Sequence, residues 1–295
     1  MESAPPSVTR ISLPESALAI LDGAFALRDP RGRSPHPHIL HEGLPGSRRL
    51  ILEGDVLIRH DYRIPPEDGH RFVAATTDPN PIHRAGDVVP GAMTLARALL
   101  PLEALLEGLA LRSVHVKFTR IARYGLPLSS RGRLSFPEPG RARFEAVSFQ
   151  GGESVAEISA QGEIRIPPRP VPRPDGADET LSRISEFLQS LHLPPRTWFE
   201  PASGPRYAFP AAYLVSMPSG TYVRNLEGEG GIINALTLEF DGEVPVPVTA
   251  IGAPAVECVK EPPKRSFHRV LTKILGGVMT LAKGFAILRP GSAKP

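Results

Sequence analysis

Between Pro167 and Pro174 the chain places five prolines in eight positions, followed by Asp175-Gly176. Proline fixes φ and removes the backbone donor, so neither a helix interior nor a central strand survives such a run. The segment predicts a semi-rigid extended linker at 167–178. It divides the 295 residues into a half at 49–166 and a half at 179–295, behind an N-terminal extension at 1–48 rich in Pro, Arg and His, for which the sequence gives no structure.

The first half alternates around Val56 and Ile58, which predicts a strand within 50–64. Residues 67–77 read as a short helix or turn and 78–89 as a polar loop. Residues 91–106 are rich in Ala and Leu and read as a helix, with Pro101 marking a kink or break. Strands are expected over 112–122, 132–136, 143–149 and 154–166, with Gly and Pro between them as antiparallel turns require. In the second half, Leu181, Ile184, Phe187, Leu188 and Leu191 fall at helical spacing, and Thr180 is a candidate cap. A second buried helix is expected over 210–217, then strands over 232–240, 246–251, 256–260, 266–274 and 277–288. One helix followed by an antiparallel sheet, twice, is an α+β fold with two related halves.

Composition narrows the function classes. The formal charge is +3, which does not favour a nucleic-acid binder. A single cysteine, Cys258, excludes an intramolecular disulfide and a cysteine-cluster metal site and fits a reducing compartment. The apolar stretch at 17–27 is broken by Asp22, and the run at 276–288 is 13 residues long. Both fall short of the roughly 20 residues a membrane helix needs. With Glu2 and no basic leader, a cytoplasmic protein is expected, with neither membrane nor nucleic acid as partner.

Chemistry concentrates in Asp78-Pro79-Asn80-Pro81-Ile82-His83. Asn80 and two prolines set a turn that brings a carboxylate and an imidazole toward one point. Such a pair can hold and deprotonate a water, the carboxylate orienting the ring and supporting its charged form. An isolated pair of this kind is more often a surface turn with a capping Asp; the Asn-Pro between the two, the Pro-Gly helix entry and the following strand favour catalysis. Val88-Val89-Pro90-Gly91-Ala92-Met93 then enters the apolar helix, placing the Gly91 amide at a helix N-terminus. Free N–H groups there stabilise charge developing on a carbonyl oxygen.

The Asp-x-Asn-Pro-x-His pattern with its Pro-Gly helix entry resembles the signature of the MaoC-like (R)-specific enoyl-thioester hydratases and dehydratases. The strand from Val114 to Gly125 is similar to the family's central strand, and the resemblance spans roughly 50–166. It implies a hotdog fold, an antiparallel sheet wrapped on a central helix, here a double hotdog whose second half is degenerate and lacks the motif. It further implies that Asp78 and His83 activate the water added to a trans-2-enoyl thioester, that Gly91 N–H holds the thioester oxygen, and that Asn80 shapes the loop. Pro90, Ala92, Lys117, Arg120 and Arg123 then fall among the substrate-binding positions. The substrate rides on coenzyme A or an acyl carrier protein in fatty-acid or polyketide chemistry. No metal or redox cofactor is required, and a homodimer of double-hotdog chains is one arrangement. A hotdog thioesterase and a non-catalytic acyl- or carrier-binding module are the rival readings.

Arg112, Lys117, Arg120, Arg123, Arg131, Arg133, Arg141 and Arg143 face a single acid, Glu138, within 112–143. The run reads either as a solvated sheet edge kept soluble by charge or as a docking surface for the phosphates of coenzyme A or an acidic carrier protein. His36, His38 and His41 lack a cysteine partner and lie in a proline-broken stretch, which disfavours a metal site. Gly228, Gly230 and Gly231 precede a strand and no Gly-Lys-Ser/Thr follows, so they are not a phosphate loop. His192 and His268 read as satisfied core or surface histidines, and Tyr207 and Tyr213 as core packing residues, with tunnel lining the alternative.

Overall fold

The computed structural model describes residues 9–13, 26–28, 39–40, 48–52, 56–83, 87–105, 108–138, 140–164, 169–201, 204–225, 232–242, 244–251, 253–262 and 267–289. Most of the N-terminal extension, including His36 and His38, lies outside them, as do His41 and the glycines at 228, 230 and 231.

Strands β1 (Thr9–Leu13), β3 (Ile39–Leu40) and β4 (Arg48–Leu52) form a small sheet, and β2 (Ala26–Arg28) joins the main one. The first half then runs β5 (Val56–Tyr62), α1 (Pro66–Thr76), a 3-10 turn (Pro81–His83), α2 (Gly91–Leu105), β6 (Leu109–Phe118), β7 (Leu128–Ser135), β8 (Arg141–Gln150) and β9 (Glu153–Ile164). The second runs α3 (Asp178–Ser190), α4 (Pro195–Phe199), β10 (Ala208–Phe209), α5 (Ala211–Ser216), α6 (Pro218–Asn225), β11 (Ile232–Phe240), β12 (Val246–Pro247), α7 (Val248–Ile251), β13 (Ala255–Lys260), β14 (His268–Gly276) and β15 (Met279–Arg289).

Ten strands form one antiparallel sheet in the order β13-β14-β15-β11-β6-β9-β8-β7-β5-β2. The halves meet where β6 pairs β11, from Ala235 opposite Lys117 to Glu239 opposite Ser113. Alternation decides which face is buried. In β8, Ala142, Phe144, Ala146 and Ser148 turn inward while Arg141, Arg143 and Glu145 face water. Helix α2 packs on β6 and β9, and the halves also join helix to helix, α1 against α3 and α2 against α5. Met93, Leu95, Ala96 and Leu99 of α2 are wholly buried, as a helix this rich in apolar residues requires.

Three local expectations are corrected. Helix α2 runs on through Pro101 to Leu105; packing against sheet and α5 outweighs one missing donor, a loss of roughly 3 kcal/mol. Helix α3 starts after Ala177 without a side-chain cap, so Thr180 sits inside its first turn. The strand expected over 246–251 is two residues of β12 followed by the helical turn α7. Part of the proline-rich segment is docked, with Val171 N–H donating to Pro205 O at 2.6 Å and Tyr207 N–H to Val171 O at 3.0 Å. Among the described residues no helix is long and apolar enough to cross a membrane.

Candidate active site

The turn after α1 is built by its own residues. Thr77 takes a left-handed conformation (φ 54°) that ends the helix, and the Asp78 amide bonds back to Val73 O at 3.0 Å. Asp78 Oδ1 accepts from Asn80 N–H at 3.0 Å, the local side-chain turn that Asp favours. Asn80 Oδ1 accepts from Ile82 N–H at 3.3 Å, and its carbonyl from His83 N–H at 3.2 Å. The loop-shaping role expected of Asn80 is therefore visible as two bonds across the turn.

These bonds turn Asp78 and His83 toward each other. Asp78 Oδ2 lies 4.0 Å from His83 Nε2, too far for a direct hydrogen bond and close enough for one water or hydroxyl to touch both. The other ring nitrogen, Nδ1, is 3.0 Å from the Val88 carbonyl. A carbonyl only accepts, so Nδ1 carries the proton and the neutral ring keeps its lone pair on Nε2. Burial pushes the imidazole below its usual range, against the opposing pulls of the Asp78 carboxylate and the Val88 carbonyl. The carboxylate favours the charged ring, as the spacing of Asp78 and His83 predicts, but desolvation outweighs it and the ring is poised as a base.

The third member of the cluster comes from the second half. Ser219, near the start of α6, donates its hydroxyl to Asp78 Oδ2 at 2.6 Å. A Cβ on neighbouring Gly220 would stand 2.4 Å from Thr77 O and 3.1 Å from Asp78 Cα. Only glycine lets α6 approach the turn this closely. Asp78 is 0% exposed; its oxygens are filled by Asn80, by Ser219 and by the gap it shares with His83.

His83, Asn80, Gly91, Thr94, Ser219 and Ile233 are among the residues lining a cleft of about 60 Å³, space for about two waters. Gly91 opens α2, and the amides of Met93 and Thr94 bond back to Pro90 O, leaving the Gly91 N–H as a first-turn donor without an intrahelical acceptor. A Cβ there would meet the Phe118 ring at 3.1 Å. Pro90 and Ala92 are buried beside the entry. A wider groove of about 600 Å³, around Asp61, Arg63, Arg131 and Phe149, holds none of the predicted catalytic residues.

The basic run is largely neutralised by acids, four of them from other strands and loops and two from within three residues of their arginine. Arg112 pairs with Glu163, Lys117 with Glu157, Arg120 with Glu153, Arg123 with Asp87, Arg141 with Glu138 and Arg143 with Glu145. Of Lys117, Arg120 and Arg123, only Arg120 lines the cleft. Tyr213 packs against Phe187 and bonds Ala75 O, Tyr207 stacks on Phe199, and His192 bonds buried Asp68 across the halves.

No family model matches this sequence, nor does any curated protein. Solved structures do match. HtdX of Mycobacterium tuberculosis aligns at a TM-score of 0.53 and 12% identity, over 79% of this chain and 99% of that one. A MaoC-like dehydratase aligns at 0.54 and 12%, over 80% and 97%. A conserved protein from Alicyclobacillus acidocaldarius, described as having a hot dog fold, aligns at 0.50 and 13%, over 81% and 94%. This chain has a hotdog fold. The α+β expectation is borne out. The likeness spans both halves, although the sequence signature is confined to the first. At such identities it establishes architecture, and the reaction has to be argued from the site.

Sequence reasoning missed Ser219, the Val88 carbonyl and the Ile232–Ile233 wall. A serine beside glycine near a helix start carries no mark that it meets a carboxylate 141 positions away.

Proposed function

We propose that the chain is a hydro-lyase that interconverts trans-2-enoyl and (R)-3-hydroxyacyl thioesters, carried on coenzyme A or on a phosphopantetheine arm. The observation that carries this reading is the His83 Nε2 lone pair. Burial keeps the ring neutral, the Nδ1 bond to Val88 leaves that lone pair on Nε2, and the nitrogen stands 4.0 Å from the Asp78 carboxylate, beside the amide that opens α2.

In the hydration direction, a water between His83 and Asp78 gives its proton to Nε2 as its oxygen bonds to C3 of the enoyl group. The C2=C3 electron pair moves toward the thioester carbonyl, and the resulting enolate oxygen is met by the Gly91 N–H. The proton then returns from the pair to C2, so water has added across the double bond and the site is regenerated. Ser219 and the Asn80 amide hold Asp78 in place throughout. The cleft is small, about 60 Å³, so the short crotonyl thioester is the first substrate to test.

The test follows loss of the conjugated-enone absorbance together with a thiol reagent. Hydration consumes the absorbance and frees no thiol. Release of thiol from a saturated acyl thioester would identify a thioesterase instead, and saturable acyl-thioester binding without turnover would identify a binding module. His83→Ala and Asp78→Ala should each abolish hydration while the fold persists; retained activity in both would remove the assignment.

A further inference from the structure

Helix α2 carries two buried charges, Arg97 and Glu103, at 4% and 2% exposure. Charges this deep are uncommon unless something in the structure meets them. Both reach across to the second half. Arg97 Nη2 donates to the Ser190 carbonyl at 3.3 Å, at the C-terminal end of α3. Glu103 accepts from the amides of Ala211 at 2.7 Å and Ala212 at 2.9 Å, the first two residues of α5. A cation at a helix C-terminus and a carboxyl group accepting from the free amides of an N-terminus each match the local dipole. The first half's central helix thus grips the second half at two points. Arg206 closes the carboxylate side of the grip, donating to the Glu103 carbonyl at 3.4 Å while its guanidinium stacks 3.8 Å over Trp198.

The segment so gripped leads straight to the catalytic turn. Helix α5 ends at Ser216, Met217 follows, and α6 opens with Pro218-Ser219. Ser219 bonds Asp78, and Gly220 lies against Thr77 with no slack. We infer that Glu103 is a positioning residue for the active site: by anchoring the first turn of α5, it sets the height of α6 and so holds the Ser219 hydroxyl on Asp78. The inference rests on the catalytic reading above for its kinetic consequence and on the geometry alone for its structural one.

The experiment is a double-mutant cycle between Glu103→Gln and Ser219→Ala in the full chain. The glutamine nearly preserves shape but offers one oxygen to two amides. If Glu103 acts through Ser219, Glu103→Gln lowers kcat on a crotonyl thioester by about tenfold with KM changed less than about twofold. In the Ser219→Ala background the same change costs less than about twofold. Glu103→Asp, which keeps the charge and shortens the reach, should behave alike and covers the case in which the glutamine variant does not fold. An activity-independent arm follows the His83 ring by NMR titration. Glu103→Gln and Ser219→Ala should displace its midpoint in the same direction, and the double variant should equal Ser219→Ala alone. Additive effects on kcat and on the midpoint, or a loss of thermal stability with both unchanged, would overturn the inference. A wild-type chain that hydrates no thioester while the NMR cycle still couples would instead remove the catalytic reading and leave the positioning intact.

Discussion

Replacing Gly220 with alanine tests the joint between the halves at its tightest point. The added Cβ would stand 2.4 Å from Thr77 O, where ordinary contact begins at 3.4 Å. The obstacle is backbone, fixed by the left-handed Thr77 and the Asp78–Val73 bond, so α6 must retreat by about 1 Å. That stretches the 2.6 Å Ser219–Asp78 bond to about 3.6 Å, outside hydrogen-bonding range. A buried hydroxyl-to-carboxylate bond is worth about 1.5–3 kcal/mol, and a misplacement of about 1 Å at a reacting group costs about 100-fold. We expect kcat on a crotonyl thioester to fall by about 10- to 100-fold. Overpacking should cost about 1–3 kcal/mol of stability, seen as a melting temperature lower by a few degrees. Steady-state hydration and a thermal melt on the same preparation are the assays. A Gly220→Ala chain with kcat within about twofold of the parent would refute the claim that Ser219 must sit at its observed distance. A loss equal to that of Ser219→Ala, and no larger in the double variant, would show that displacement of the serine is the whole effect.

Because His83 protonates below its ordinary 6.5, the acid limb of kcat should lie below that value, and a pH–rate profile falling at or above it would contradict the buried neutral ring. The same shift has a stability sign: the unfolded chain takes the proton first, so this contribution is present above 6.5 and lost as pH falls through the lower folded value. Glu103 acts oppositely. Burial lifts its carboxyl from 4.5 to about 7, so the folded chain holds a proton the unfolded chain has released, and stability should decline between those values by about 3 kcal/mol. Urea melts across this window should show that decline flattened in Glu103→Gln; an unchanged slope would show that Glu103 does not titrate there. Raising salt should change stability little despite the long basic run, since its ion pairs are exposed and worth about 0–1 kcal/mol each; a steep salt dependence would mean that unpaired charge dominates that surface.

The sequence by itself determined whatever is closed by near neighbours. The turn from Asp78 to His83 is bonded within six residues, through Asn80 N–H to Asp78 Oδ1 and His83 N–H to Asn80 O, and spacing alone encodes such bonds. The Pro90-Gly91 helix entry and the alternation around Val56 and Ile58 are local in the same sense, and they entered the helix-then-sheet reading of the first half. Pro101 and Thr180 misled because local propensity was set against tertiary packing that the residues themselves do not display. Only the folded chain decided that the basic run meets acids on adjacent strands and loops, that burial outweighs the carboxylate at His83, and that the motif-less half supplies Ser219. Each depends on how strands and helices distant in sequence are brought together, and on how much water remains between them. No pattern of neighbouring residues records either quantity.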